Sequence, residues 1–561
     1  MLVILDDGPR RVFSAPLDVI RADTPAEVSG ALAALEAALA RGHHVAGWLG
    51  YELGYVLEPR LGPSSPGPLL RLGVFEAPVT AGPAPAGRAY AGPLQPEWDE
   101  AAYGPRFARV KDYIAAGDIY QANLSFRAPF AFLGDALALY EDLRAASAAP
   151  HCGFVDDGER QIVSLSPELF FDLTADGGIT VRPMKGTYPR SPGADDAVER
   201  ARLSASAKDR AENLMIVDLI RNDLSRIAEG GSVQVDDLFK VETYPTLHAM
   251  VSTVRARKRA DAGIADILRA LFPCGSITGA PKIRAMEILR DLEMSPRGAY
   301  CGAVGHFAPA PDNRFSARFN VAIRTLTIRQ GRGELGIGGG VVQDSEAESE
   351  YAECLVKARF FNVYRKPLTL IETLRHEDGF VRLARHLDRM QRSAQAFGLS
   401  FDEAAARHAL EGAVRGRRGA SRVRLTLDEA GLHQAIAHNL PPNPPHWTYR
   451  ISPDRTQSGD MLLRHKTSWR APYDRDHPDC DEMLFCNERG ELTEGARSNI
   501  FVRRDGILLT PPADAGILPG ILRAELLARG EAQEAILMPD DLKGDVYLGN
   551  SLRGLIPAIP V

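Results

Sequence analysis

The chain has 561 residues, 45% hydrophobic and 25% charged, with 66 Lys and Arg against 73 Asp and Glu for a formal net charge of -7. This composition is that of a globular protein, and the length exceeds one ordinary domain. The basic residues are dispersed rather than gathered into a stripe, which argues against nucleic acid or a membrane surface as partner and for a small soluble substrate.

The opening MLVILDDGPRR meets acidic residues too early for a signal peptide, and no apolar run reaches bilayer length, so the cytoplasm is the expected location. Six cysteines (Cys152, Cys274, Cys301, Cys354, Cys480 and Cys486) form no CxxC pair and no zinc-spaced cluster with His, and reduced, mostly buried thiols are expected. An alanine-rich pattern predicts a helix over 25–41, followed by a strand from His44 toward Glu52. Residues 63–96, rich in proline, glycine and alanine, read as an irregular surface loop or linker. A helix from Tyr103 ends near Gly117. The next stretch, 118–125, alternates as a strand, with Tyr120, Ala122 and Leu124 on one face and Gln121, Asn123 and Ser125 on the other.

Two strands flank 164–171, and the stretch TVRPMKGT (180–187) then sets Lys185 between a proline-broken strand end and a glycine. A lysine there can be held in a dry pocket. In water its pKa is ~10.4, so only about one amine in two thousand carries a free lone pair at neutral pH. Burial or a nearby cation must lower that value before the amine can act as a nucleophile. Taken alone, a surface charge is the commoner role for a lysine. Glu168, directly after Pro167, is either an ordinary turn acid or, across a hairpin, a partner for Lys185.

Residues 208–229 give the clearest helix, with Leu214, Val217, Leu224 and Ile227 as its apolar stripe. Glu212 and Asp223 face the same way but lie ~16 Å apart along the axis, so at most one can serve a metal. A β segment ends at 244–248. The loop 272–282 enters a helix at 282–292 with N–H groups free for an anion. It lacks the order of a nucleotide P-loop, and a carboxylate is the better fit. A strand over 319–328 carries Arg324, and another over 335–342 holds Gly338, Gly339 and Gly340, where a substrate could approach the backbone closely. The helix 345–361 presents Glu346, Glu350 and Glu353 on one face, with Lys357 spaced for an ordinary ion pair to Glu353.

The composition changes at Arg365, Lys366 and Pro367, which divides the chain into domains 1–365 and 366–561. The second begins with a strand over 368–374 and a helix over 383–397, and 441–445 is a loop. Residues 490–501 lead into a β-hairpin, and the turn Leu518, Pro519, Gly520, Ile521 opens a helix as a candidate phosphate cradle. No internal repeat relates the halves.

SPELFF, RPMKGT, KDRAENLMIVDLIRND, GSITGAPK, AIRT and GGGVVQDSEAESEYAE occur in the first ~365 residues in the order of the chorismate-utilising enzymes, which this part resembles. The resemblance implies an α+β fold, a large domain of two stacked β-sheets with helices outside. A lysine in PxKGT separates aminodeoxychorismate synthases from anthranilate synthases, where a small alanine usually stands. Gln121 stands where isochorismate and salicylate synthases carry a water-activating lysine, which disfavours hydration. Carried over, Lys185 would attack C2 of chorismate while Glu168 protonates the departing C4 hydroxyl, and ammonia would enter at C4. Glu212, Glu350 and Glu353 would hold Mg²⁺. Tyr300, Arg324 and Gly339 would bind substrate carboxylates, and His248 and Thr278 would line the ring. No GxCxGxQ-type elbow is present, so a separate glutamine amidotransferase subunit is expected to deliver ammonia.

The last ~195 residues are similar to the class IV pyridoxal-phosphate family, at His386-Leu387-Asp388-Arg389, Arg464-His465-Lys466, Leu492-Thr493-Glu494, Ser498-Asn499-Ile500, Leu518-Pro519-Gly520-Ile521 and Gly549-Asn550-Ser551. This implies a smaller α+β domain in which Lys466 carries the cofactor and Glu494 pairs with the pyridine nitrogen. Arg389, the backbone of Ile521 and Leu522, and Ser551 would hold the phosphate. The family's DRGxxxGDG segment is missing, and Leu522 replaces a frequent threonine. Together the resemblances imply amination of chorismate at C4, then elimination of pyruvate to give 4-aminobenzoate, with a homodimer possible through the second domain. The competing readings are an anthranilate synthase component joined to an amino-acid aminotransferase, and a synthase with a non-catalytic C-terminal interaction module.

Overall fold

The computed structural model describes residues 1–62, 67–190, 193, 195–244, 247–471, 473–474 and 478–561. Its internal contacts divide the chain into two compact units. One comprises Met1–Pro83, Leu94–Phe130 and Tyr140–Tyr364, the other Ala84–Pro93, Ala131–Leu139 and Arg365–Val561.

Two sheets make the first unit. The first runs, in spatial order, Gly279–Ala280, Gln121–Gly134, Arg332–Val341, Thr325–Arg329, Gln161–Ser166, His151–Asp156, Leu2–Asp6 and Arg11–Phe13. The second runs Gln234–Val235, Val254–Arg257, Gly178–Arg182, Leu169–Leu173, Arg314–Val321, Ala303–Ala310, His44–Leu49, Leu70–Phe75 and Asp18–Ala22. Val3, Leu5, Phe13, Val155 and Ile162 from one sheet meet Trp48, Phe75 and Val304 from the other in a single buried cluster, so the sheets are stacked face to face. The opposite face of the second sheet is covered by the helices Pro25–Ala40, Ala207–Ser225 and Ile264–Leu271. The first of these begins as its sequence dictates, with Pro25 at the first helical position and the Glu27 carboxylate accepting the Thr24 N–H at 2.9 Å. The α+β fold with two stacked sheets is therefore present. A smaller sheet, Met184–Pro189, Leu247–Val251 and Lys240–Thr243, carries Lys185. Pro245 and Thr246, in the predicted 244–248 segment, lie outside the described residues.

Three expectations are corrected. Within 63–96, whose residues 63–66 are outside the described set, Leu70–Phe75 is a fully buried strand between His44–Leu49 and Asp18–Ala22, and Ala89–Ala91 is a second strand. The run LLRLGVF is apolar enough to enter the core, and the proline-rich flanks hid it. The strand expected over 319–328 is two strands in different sheets, broken where Arg324 takes a positive φ of 49°. In Ala207–Ser225, Leu214 is 44% exposed and Ile216 and Ile220 are buried in its place, because the buried stripe passes through Asn213, Val217 and Leu224.

The second unit pairs Leu370–His376, Ser421–Leu427 and His433–Asn439 as a small antiparallel sheet under the helices Leu383–Phe397 and Glu403–Val414. A larger sheet runs Leu492–Gly495, Glu482–Asn487, Trp447–Thr456, Gly554–Pro560, Asp545–Asn550, Asn499–Arg504, Ile507–Thr510 and Ala532–Glu534, and Glu494 also pairs with Asn499, closing part of the path on itself. Tyr90 explains why Ala84–Pro93 packs with this unit rather than the first. Its ring is fully buried against Phe397 at 4.9 Å between centroids, and its hydroxyl donates to Glu429 at 3.1 Å.

Leu72→Ala is expected to cost about 2–5 kcal/mol of stability in urea unfolding, the loss typical of a buried strand leucine. A loop leucine would cost less than about 0.5 kcal/mol.

Candidate active sites

In the first unit Lys185 projects from Met184–Pro189 toward the three glycines of Arg332–Val341. A Cβ on Gly340 would lie 2.9 Å from Lys185 Nζ and 3.0 Å from Gln121 Nε2, so a side chain there would displace one of these groups. Burial pushes the Lys185 amine below its ordinary value. Glu212 opposes that shift, Lys357 adds to it, and Glu168 and Glu353 oppose it more weakly. The amine is thus drawn toward the neutral form a nucleophile needs.

Glu168 follows Ser166, whose hydroxyl accepts the Glu168 N–H at 3.1 Å and donates to Val321 O at 2.5 Å, pinning the turn. The carboxyl is 4% exposed and its Oε1 has no partner. Burial pushes it up to about 7, against hydrogen bonding from Ser276, the charge of Lys185 and the Met184 backbone. It is a carboxylic acid that keeps its proton close to neutrality, near an amine drawn below its ordinary value.

The acidic residues divide. Glu350 is buried, accepts the Ser345 hydroxyl at 2.6 Å, and its Oε2 would lie 3.3 Å from a Cβ on Gly339. Glu212 is raised by burial and, more weakly, by the nearby Asp209 and Glu350. Glu353 is paired with Lys357 at 2.9 Å; desolvation raises its carboxyl, but the Lys357 charge and hydrogen bond together with the charges of Lys185 and Lys208 lower it on balance. Lys357 also donates to Gly338 O at 3.2 Å. Glu346 is the residue capping Ala347–Lys357 rather than part of its face. Asp223 is committed elsewhere, in a buried 2.5 Å ion pair with Lys282. Among the described residues no group of three His, Cys, Asp or Glu side chains is placed to hold a metal ion.

The residues expected around a substrate are scattered more widely. Arg324 is desolvated, which lowers its guanidinium, and among the described residues it has no carboxylate partner, as suits a group reserved for an external anion. Tyr300 packs its ring on Gly336, further back along the glycine strand, and burial raises its phenol. Thr278 donates its hydroxyl to the carbonyls of Cys274 and Gly275, at 3.2 and 3.1 Å, within its own turn. His248 contacts Thr243 Oγ1 through Nδ1 and Asp196 Oδ1 through Nε2, both at 3.0 Å, so neither ring nitrogen is open to a ligand.

The second unit contains a cavity of about 1400 Å³ lined by Lys466, Arg389, His386, Glu494, Ile521 and Ser551, among others. Lys466 is pushed down to about 8 by burial, with Arg389 adding to the effect and Glu372 opposing it. Glu494 is pushed up to about 8 by burial, and its Oε1 accepts the Leu518 N–H and the Tyr473 hydroxyl, each at 3.1 Å. Gly520 caps the helix Ile521–Ala528 with no side-chain bond, leaving its first N–H groups for an anion. Leu522 points into a core with Phe501 and Leu526, so only its backbone can take part. Glu372 and His386 were assigned no role from the sequence. Arg389 makes two 2.8 Å bonds to Glu372, which also contacts His386 at 2.6 Å, and His386 reaches Ser551 Oγ at 2.8 Å. Glu372, drawn down to about 2, joins the proposed phosphate ligands Arg389 and Ser551 into one network. The ETLR run holding Glu372 and the HLDR run holding His386 were the available signals, and their spacing does not show that the two side chains meet.

The family model described as chorismate binding enzyme matches residues 6–363. The chain belongs to the chorismate-binding enzymes. The model for amino-transferase class IV matches residues 369–559. Aminodeoxychorismate synthase component 1 of Klebsiella aerogenes is 47% identical over 256 residues, 46% of this chain and 56% of that protein. Anthranilate synthase component 1 of Streptomyces coelicolor is 40% identical over 263 residues, 46% of this chain and 50% of that protein. This chorismate-binding enzyme thus spans about half the length of these relatives. The solved anthranilate synthase component I of Streptococcus pneumoniae has the same fold over 64% of this chain and 92% of its own, with 24% identity and a TM-score of 0.54.

A class IV region implies pyridoxal phosphate, and the cavity fits it. It offers a desolvated lysine, a buried acid able to ionise opposite a pyridinium, and an uncapped helix start beside Ser551. No helix among the described residues of this chorismate-binding enzyme is long and apolar enough to cross a membrane.

Two pH effects follow. Glu168 titrates near 4.5 ordinarily and about 7 when folded. Below pH 4.5 both states are protonated, and between 4.5 and 7 only the unfolded chain ionises. Stability therefore falls over that window, by about 3 kcal/mol in all. Glu168→Gln should exceed wild type by about that amount at pH 8 and match it at pH 4, by urea unfolding. Uptake of pyridoxal phosphate, followed by its visible absorbance, should quicken as pH rises and level off above about 8, rather than continuing toward ~10.4 as for a solvated lysine.

Proposed function

We propose that the chain makes 4-aminobenzoate from chorismate and ammonia in two steps. The single observation that carries the reading is that the buried Glu168 carboxyl, pushed up to about 7, and the Lys185 amine, drawn below its ordinary value, act on each other's charge in the PxKGT setting that distinguishes C4 amination. Lys185 forms a bond to C2 as the ring double bonds shift and the C4–O bond breaks. Glu168 gives its proton to the departing hydroxyl, which leaves as water. Ammonia then bonds to C4, the double bonds shift back, and the Lys185 nitrogen is expelled from C2. The net change is chorismate and ammonia to 4-amino-4-deoxychorismate and water. Arg324 and the backbone at Gly339 bind substrate carboxylates in this reading, with Tyr300, Thr278 and His248 shaping the walls from behind.

Mg²⁺ fits Glu212 and Glu350, since this ion commonly takes one or two protein carboxylates and completes its shell with substrate and water oxygens. Glu353 joins only by releasing Lys357. In the second step pyridoxal phosphate supplies the electron sink. Lys466 takes the C4 proton and returns one to the three-carbon unit leaving C3, which departs as pyruvate. Glu494 would hold the pyridine nitrogen, while Arg389, Ser551 and the N–H groups of Ile521 and Leu522 would hold the phosphate. Ammonia comes from a separate glutamine amidotransferase, as for a synthase component. Free, largely buried thiols support a cytoplasmic setting.

The similarity to an anthranilate synthase favours one rival, C2 amination to 2-aminobenzoate. The deciding experiment incubates the protein with chorismate, Mg²⁺ and ammonium, with and without pyridoxal phosphate, and identifies the product. 4-Aminobenzoate with the cofactor, and 4-amino-4-deoxychorismate without it, is the expected result. 2-Aminobenzoate would select the rival, and failure to pass beyond the intermediate with cofactor present would make the second unit an interaction module. Lys185→Ala should lower amination by about 10²-fold or more while sparing turnover of supplied 4-amino-4-deoxychorismate, and Lys466→Ala should let that intermediate accumulate.

A further inference from the structure

Gln121 opens the strand Gln121–Gly134, opposite Ala280 in the register of the neighbouring strand. Its side chain is fully buried at 0% exposure, and among the described residues neither Oε1 nor Nε2 has a hydrogen-bond partner. A buried amide without partners has given up its hydration for nothing, which folded proteins rarely tolerate. Its neighbour is the Lys185 amine. Both nitrogens crowd the bare Cα of Gly340, at 3.0 and 2.9 Å from where a Cβ would stand.

When the Lys185 amine bonds to C2 it becomes a secondary ammonium, whose N–H groups donate more strongly than those of the free amine. A carbonyl oxygen beside it gains interaction as that charge develops, and only such differential interaction accelerates a step. We propose that Gln121 is a positioning residue for Lys185, its amide Oε1 accepting a hydrogen bond from the Lys185 nitrogen and directing the lone pair at C2. The inference rests on the amination reading above. Gln121 exchanges no proton. The nitrogen lone pair forms the N–C2 bond, the C4–O pair leaves with the hydroxyl, and the proton that completes water comes from Glu168. The Lys185 nitrogen thus gives the orphaned Oε1 a partner, and the bond strengthens as charge develops on that nitrogen.

The test uses the full-length protein with chorismate, Mg²⁺ and ammonium. Gln121→Met keeps the volume and removes both polar atoms, and Gln121→Glu restores an acceptor oxygen. Turnover of supplied 4-amino-4-deoxychorismate and the midpoint of thermal unfolding report folding. For Gln121→Met the expected result is kcat for amination down about 10-fold or more with KM for chorismate within about 3-fold, the signature of an interaction made in the transition state. Its unfolding midpoint should be equal or higher, because a costly buried amide is gone. Gln121→Glu should recover most of the kcat. Acid-quenched protein incubated with chorismate alone should carry less of the Lys185 adduct, a mass gain of chorismate minus water, in Gln121→Met than in wild type.

An unchanged kcat in Gln121→Met, a loss confined to KM, or no recovery in Gln121→Glu would overturn the proposal. A wild-type protein that makes no 4-amino-4-deoxychorismate would instead overturn the amination reading itself.

Discussion

Desolvation of ionisable side chains is the constraint on which both sites depend. In each unit a partly buried lysine has its charge desolvated, and a carboxyl is buried near it. Lys185 and Lys466 are drawn toward the free amine, while Glu168 and Glu494 are drawn toward the neutral acid. An amine and an acid that would both be charged in water at pH 7 are each shifted toward the neutral form, the direction that covalent and acid–base chemistry requires. The same burial is a cost to folding that stacked sheets and a large core must offset.

Close backbone approach is what makes the first pocket narrow. The glycine strand brings Gly338, Gly339 and Gly340 under Lys357, Glu350 and Lys185 in turn. With no side chains between, the charged groups are separated only by the width of the strand. In the second unit the comparable device is a network rather than a strand. Glu372 collects Arg389 and His386, and His386 collects Ser551, so the groups around the anion cradle are positioned together.

Much of the fold was legible from pattern. The helices Pro25–Ala40 and Leu383–Phe397, and the hairpin that separates Glu168 from Lys185, follow from periodicity and turn chemistry. Where reading failed, a local signal was masked. Prolines on both sides hid the core strand Leu70–Phe75, and the break at Arg324 is a single positive φ that alternating residues do not announce. The candidate site was legible where motif order survived, as at Lys185, Glu168, Lys466 and Glu494. It was not legible in the commitments of individual polar atoms. Thr278 and His248 spend theirs on their own surroundings, and Glu353 spends its charge on Lys357.

The sequence by itself determined the family, the succession of two α+β parts, and which lysines and carboxylates are candidates for chemistry, because motifs and periodicity are local properties of the chain. Only the tertiary structure decided which candidates have a free atom to offer. It separated Arg324, a guanidinium with no carboxylate partner among the described residues, from His248, whose nitrogens are both engaged. It also set Gln121, unpaired, against Lys185. Burial and hydrogen-bond satisfaction depend on residues far apart in sequence, and no spacing along the chain can state them in advance.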